Sequence, residues 1–425
     1  MNRRSFLQLS TAAALAAPVL IQGADDPAGT RLEDRIRGLM FGTAIGDALG
    51  GPIEFQARDA VQRLPNPPKV WRDDEVLDDA GRRAAAGRLM LRSYDDLRPT
   101  PESYAQWNHH SAPGTITDDT RHKLVLLHAL RVAEQKRRFP MGVGDLARAY
   151  LEWSKRPSVA NRPEYATLAA DWLEEWQFAA RWILGERDLA RARPPERMWQ
   201  SLPTCSGQMT LPPLAALFAG QPDRAYRAAW HLAFFDNGYG RDMNAALIAA
   251  LAQALVTPVD LSNPRPAWVK VLAVLRDTDP FGFARIRWTQ RAVHRWLDFA
   301  HRTAKEAAGR PARMFAVFER EFAQNAKWEA QIPFAVMFGC LEMCDYDPMA
   351  ALQLSQEWGH DTDSYAQLLG AFIGALHGPV LFRAAWRTAV AERLQADYHV
   401  DIEDECKLLA RLQRLGKRRS LVKES

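Results

Sequence analysis

Cysteine is scarce in this chain, with four in 425 residues. Cys340 and Cys344 stand one helical turn apart, while Cys205 and Cys406 are isolated in sequence. None is grouped with other cysteines or with histidines at the spacing of a thiolate metal site, which excludes a zinc ribbon or finger. The four thiols are expected to be free and buried. Alternating apolar and polar residues are also rare and β-branched clusters are few, which excludes an architecture built on sheets. Neither sign of charge dominates. Lys and Arg number 55 against 51 Asp and Glu, a formal net charge of +4, and part of that excess sits in the terminal run Lys417-Arg418-Arg419. So slight a balance argues against nucleic acid as a partner. No linker, repeat or low-complexity tract divides the chain, and 47% of its residues are hydrophobic, enough for one large core.

The first residues read as a targeting segment rather than as fold. Asn2-Arg3-Arg4-Ser5-Phe6-Leu7-Gln8 leads into an apolar Ala/Leu stretch through Ile21, which breaks at Gln22-Gly23. A basic start, a short apolar middle and small residues near its end define a secretory signal, and paired arginines ahead of Phe-Leu resemble the twin-arginine type. Residues 1–23 are therefore expected to be an export signal, cleaved between Ala16 and Ala24. That leaves no stable membrane span in the mature chain, since the stretch is too short to be one. The protein is then exported, periplasmic or otherwise extracytoplasmic. A cytoplasmic protein with an amphipathic start is the alternative.

What is present is helical periodicity. Apolar residues recur one turn apart from Leu32 to Ala44, Leu124 to Val132, Leu168 to Ile183, Ala245 to Leu255, Val293 to Ala307, Ala350 to Trp358 and Ile402 to Leu412. The spacing predicts an all-α domain over residues 24–425, with an irregular segment at 59–114 where prolines and charges interrupt the pattern. Most of the tryptophans, such as Trp172 and Trp176, sit at helical spacing and are expected in the core. Two runs carry small residues every fourth position: Gly38, Gly42, Gly46 and Gly50, then Ala366, Gly370, Gly374 and Gly378. Each glycine inside a helix costs roughly 1 kcal/mol relative to alanine. Close approach of another backbone is the natural compensation, so the two helices are expected to lie together at the centre of the domain.

Two short acidic clusters are separated by most of the chain: Thr117-Asp118-Asp119-Thr120 and Asp361-Thr362-Asp363-Ser364. Each heads an apolar helical run. Asp, Ser and Thr at such positions commonly cap helices, accepting hydrogen bonds from the first amides. Both clusters hold more acid than a cap needs. Carboxylates this dense repel unless a cation holds them, and an all-oxygen set suits hard divalent ions.

Three segments taken in order carry a family resemblance. They are Gly42-Thr43-Ala44-Ile45-Gly46-Asp47-Ala48-Leu49-Gly50 with Pro52 and Glu54; Pro113-Gly114-Thr115-Ile116-Thr117-Asp118-Asp119-Thr120; and Gly359-His360-Asp361-Thr362-Asp363-Ser364 leading into Gly370-Ala371-Phe372-Ile373-Gly374-Ala375. Together they resemble the ADP-ribosylglycohydrolase family, over about Arg35 to Pro379. The resemblance implies an orthogonal multi-helix bundle, a single domain, and a centre of two Mg2+ or Mn2+ ions. By position, Thr117, Asp118, Asp119, Asp361, Asp363 and Ser364 would be metal ligands, with Asp363 as a bridge and Ser364 where the family more often has Thr. Glu54 and Asp119 would be the catalytic acids and bases, and Asp47 a supporting group at a helix end.

The implied reaction is hydrolysis of a glycosidic bond in an ADP-ribosyl or related ribosyl compound, borne by a small molecule or a protein, on a monomeric enzyme. The family's central Gly-Asn-Gly element is missing: Thr204-Cys205-Ser206-Gly207-Gln208-Met209-Thr210 stands in its place, with Met209 alone aligned. Asn237-Gly238-Tyr239-Gly240 is similar to a turn of some members and would meet substrate, or serve only as an interhelical turn. His360, beside Asp361, would contact substrate or support the metal site, whereas His109-His110 reads as a solvated pair. Alternatives stay open: a binuclear hydrolase of another ester or glycoside, or a protein that binds a ribosyl ligand or is structural without turnover.

Overall fold

The computed structural model describes residues 32–63, 71–93, 112–156 and 163–423. The proposed signal and His109-His110 lie outside them. In chain order the helices are α1 (Leu32–Gly50), α2 (Arg58–Gln62), α3 (Asp79–Gly87), α4 (Asp118–Gln135), α5 (Val143–Trp153), α6 (Pro163–Ile183), α7 (Ser206–Thr210), α8 (Leu214–Leu217) and α9 (Pro222–Leu232). There follow α10 (Gly238–Ala254), α11 (Arg265–Asp277), α12 (Ala292–Glu306), α13 (Pro311–Glu321), α14 (Gln331–Met343), α15 (Pro348–Ser355), α16 (Thr362–His377), α17 (Ala384–Tyr398) and α18 (Ile402–Lys423). The fold is all-α, as the periodicity predicts. Short helices α2 and α3 fall within the stretch read as irregular.

Burial sorts the helices into centre and shell. All residues of α16 are buried, as are those of α1 from Gly38 to Gly50. Helices enclosed on every side carry apolar or small residues all round rather than on one stripe. The outer α12 instead buries Val293, Trp296, Phe299, Ala300, Thr303 and Ala304 and exposes Arg295, His301, Arg302, Lys305 and Glu306. Among the described residues no helix is long and apolar enough to cross a membrane.

The glycine stripes make the central contact. A Cβ built on Gly42 would meet the carbonyl oxygen of Gly370, and one on Gly374 would meet that of Gly38. Gly46 faces Ala366 in the same way, and Gly50 faces Asp363. The order of these pairs makes α1 and α16 antiparallel, so the C-terminal end of α1 meets the N-terminal end of α16. Across the same interface Thr43 Oγ1 donates to Gln367 Oε1 over 2.8 Å. The stripes thus place Asp47, Gly50 and Glu54 beside Asp361 and Asp363.

The tryptophans are not uniformly core residues. Trp153, Trp268 and Trp358 are fully buried, but Trp288 is 92% exposed and Trp328 42%. Both exposed rings lie outside helices, where helical spacing does not apply. The four cysteines are free and buried, as expected.

Candidate metal centre

Helix α4 starts at the first acidic cluster. Thr117 is its N-cap and its hydroxyl accepts from the Asp119 amide at 3.2 Å. Two further amides of that first turn are satisfied from another helix: Asp47 Oδ1 accepts from Thr117 N and Oδ2 from Thr120 N, both at 2.9 Å. Capping therefore falls to Thr117 and Asp47, and Asp118 and Asp119 are not spent on it. The second cluster differs. Asp361 occupies the N-cap position of α16, yet its side chain makes no capping hydrogen bond.

The two clusters meet. Thr117 Oγ1 donates to Asp363 Oδ2 over 2.7 Å, and Ser364 Oγ donates to Asp119 Oδ2 over 3.2 Å. Each hydroxyl holds a carboxylate of the opposite cluster. Asp363 Oδ1 also accepts from the Ser364 amide at 3.0 Å. Carboxylate oxygens of Glu54, Asp361 and Asp363 lie within 4.8 Å of one another, and so do those of Asp118, Asp119 and Asp363. Asp363 is common to both groups.

Glu54 reaches this place by a device that alternation does not betray. Strand β1 (Gln56–Ala57) pairs antiparallel with β2 (Gly359–His360), Gln56 opposite His360. Phe55, in the left-handed region at φ +57°, donates its amide to the His360 carbonyl at 2.5 Å. The two-residue ribbon ties the segment after Glu54 to the segment before Asp361.

Electrostatics follow from burial. Burial, then the charge of Asp363, raises the Asp119 carboxyl well above its usual range. Asp361 rises for the same two causes. Burial, then Asp118 and Asp47, pushes Asp363 up to about 7. Buried carboxylates that raise one another await a cation or a proton. Among the described residues, Asp119 Oδ1 and Asp361 Oδ2 accept no hydrogen bond although both are buried. An all-oxygen set with buried, unused carboxylate oxygens fits a hard divalent cation.

The residues expected to touch substrate fare differently. Asn237 donates its amide to the carbonyls of Pro195 and Met198, at 3.3 and 3.2 Å, and so braces the 3-10 helix Pro195–Ser201. Gly238, at φ +52°, lets α10 begin there, and Gly240 packs on the Pro203 backbone. Tyr239 is half exposed. His360 Nε2 contacts Glu319 Oε1 at 2.8 Å and its ring lies edge-on to Trp358, so the imidazole is engaged away from the acids.

Sequence reading missed two neighbours of the centre. Lys123 Nζ donates to the Asp119 carbonyl at 2.9 Å from a fully buried position. Cys205 Sγ lies 3.8 Å from Ser364 Oγ. The spacing Asp119-x-x-x-Lys123 is a helical i, i+4 pair and was the available signal for the first.

The ADP-ribosylglycohydrolase family model matches residues 28–420. Among proteins with curated descriptions, none matches the chain in sequence. The chain is similar to a solved structure titled "ADP-ribosylglycohydrolase-related protein complex", at 18% identity and a TM-score of 0.49, over 90% of this chain and 99% of the other. With the family model covering nearly its whole length, the chain belongs to the ADP-ribosylglycohydrolase family.

Proposed function

We propose that the chain is a metal-dependent glycohydrolase that cleaves a glycosidic bond in an ADP-ribosyl or related ribosyl substrate. The observation that carries this reading is the position of Asp363 in both oxygen groups, the arrangement a bridging ligand between two ions requires. Glu54, Asp361 and Asp363 would hold one Mg2+ or Mn2+, and Asp118, Asp119 and Asp363 the other, with Thr117 and Ser364 completing the shells. Bound ions would supply Lewis acidity and a grip on vicinal ribose hydroxyls.

The chain's own residues do the rest. Thr117 and Ser364 orient the Asp363 and Asp119 carboxylates by donating to them. Asp47 fixes the first turn of α4 and with it the direction of Asp118 and Asp119. Cleavage at an anomeric carbon passes through an oxocarbenium-like state and needs a base to take the proton of the attacking water. Glu54 or Asp119, each in the cluster where the sugar would sit, would serve as that base and pass the proton it takes to the leaving group as the glycosidic bond breaks. Tyr239 is the residue of the Asn237–Gly240 turn able to contact the substrate.

A panel of arginine- and serine-linked ADP-ribosyl compounds, nucleosides and phosphoesters, assayed with and without chelator, tests the reading. Release of ADP-ribose or ribose that stops with chelator and in Asp363→Asn is the expected result. Turnover that survives both treatments contradicts it. Export belongs to the same proposal: replacing Arg3 and Arg4 by lysine should leave the chain in the cytoplasm, and unchanged fractionation would refute the signal.

A further inference from the structure

We propose that the buried ion pair Arg58–Glu357 is the clasp that fixes the ribbon carrying Glu54, and so positions Glu54 against Asp361 and Asp363 for one of the two ions. The inference rests on the metal-binding reading above and extends it to two residues outside the ligand set.

The ribbon has two ends. At one end Glu54 and Asp361 converge, with carboxylate oxygens within 4.8 Å of each other and of Asp363. Arg58 follows Glu54 by four positions, and Glu357 precedes Asp361 by four, so the pair closes the opposite end. Arg58 Nη2 donates to Glu357 Oε1 over 2.7 Å, with the glutamate side chain fully buried and the arginine 17% exposed. The same Nη2 donates to the Trp71 carbonyl at 2.6 Å, and the Trp71 amide donates to Glu357 Oε1 at 2.8 Å. Arg58, Glu357 and the Trp71 backbone thus form a closed triangle of hydrogen bonds. The Arg58 guanidinium also lies over the Phe315 ring, 5.7 Å from its centroid.

The strands need such a clasp. Two residues pair on each side, and a ribbon that short does not hold itself together in water. A slip of one residue would turn each side chain of the slipped strand to the other face. Phe55 and His360, next to the two acids, both sit in the left-handed region at φ +57° and +59°. Side chains rarely adopt that backbone, and it persists only where the surroundings impose it. Fixing register is the best-attested use of a buried ion pair. Arg58 and Glu357 touch none of the proposed ligands and act through the backbone between.

The test titrates manganese chloride calorimetrically into metal-stripped wild type, Arg58→Met and Glu357→Gln, with melting curves recorded in chelator. Each variant is expected to bind the ion of Glu54, Asp361 and Asp363 about 10- to 100-fold more weakly, the usual effect of losing a group that orients a ligand. The ion of Asp118, Asp119 and Asp363 should keep its affinity. Arg58→Met added to Glu54→Gln should cost no further affinity, since both changes act on one ligand. Arg58→Lys, which keeps a cation opposite Glu357, should recover part of the loss. Should Arg58→Met fail to fold, Glu357→Gln, which retains an acceptor for the Trp71 amide, carries the same test. A lower melting temperature with both ions at wild-type affinity, or both ions weakened alike, would make the pair a general structural support and overturn the proposal. Additive losses with Glu54→Gln would overturn it too. Wild type that binds fewer than two Mn2+ overturns the two-ion reading and this proposal together.

Discussion

Thr117 and Asp363, 246 positions apart in the chain, are joined by a hydroxyl-to-carboxylate hydrogen bond of 2.7 Å. The bond closes the centre from both sides. Thr117 is the N-cap of α4, and Asp363 lies in the first turn of α16 beside Gly50 of α1. The three helices that carry the family motifs meet there.

Asp47 touches no proposed ion, yet its replacement should reach the metal centre. Both its oxygens accept amide hydrogens from α4, so Asp47→Asn places an amide NH2 against one of those donors. Loss of a buried cap costs about 1–2 kcal/mol. The variant should melt lower and bind manganese more weakly, as read by calorimetry. Unchanged affinity would show that the first turn of α4 is positioned without it.

The glycine stripes predict a graded stability series. Gly42→Ala and Gly374→Ala each drive a Cβ into the carbonyl oxygen of a facing backbone that has nowhere to go. Each should cost about 3 kcal/mol. Gly87, the last residue of α3, has nothing within 4 Å of a built Cβ, and Gly87→Ala should be neutral or slightly stabilising. Thermal melts of the three variants check this. Equal behaviour at all three sites would remove the argument for close backbone contact.

Metal-free protein should lose stability as pH rises. Burial, Asp118 and Asp47 raise the folded-state value of Asp363 to about 7, and Asp119 and Asp361 rise too. A carboxyl whose folded value exceeds its unfolded value of about 4 contributes stability fully below that lower value, and loses it as pH climbs through the upper one. In chelator the melting temperature should fall from about pH 4 to about pH 7, less steeply in Asp363→Asn. Manganese should flatten or invert the trend. A level profile in chelator would contradict the electrostatic account.

Local patterns made much of this legible beforehand. The acidic clusters are contiguous, and the small-residue stripes recur at a fixed period, so both announce themselves in the sequence. Convergence of α1 and α16 followed from the cost of glycine in a helix. The ribbon that ties Glu54 to Asp361 did not, because two residues on each side are too few to alternate. Lys123 was invisible for another reason: a lysine within a helix ordinarily faces water, and only the depth of α4 reveals this one as buried. The Asn237–Gly240 turn was ambiguous in sequence because asparagine and glycine serve turns and ligands alike. In the structure the Asn237 amide is bonded to the backbone carbonyls of Pro195 and Met198.

The central claim is that Asp363 joins two ion sites, and counting manganese bound per chain tests it most directly. Wild type stripped of metal and titrated to saturation should take up two Mn2+, and Asp363→Asn should lose both while keeping its helical content and melting no lower in chelator. An Asp363→Asn variant that still binds two ions at wild-type affinity would contradict the account.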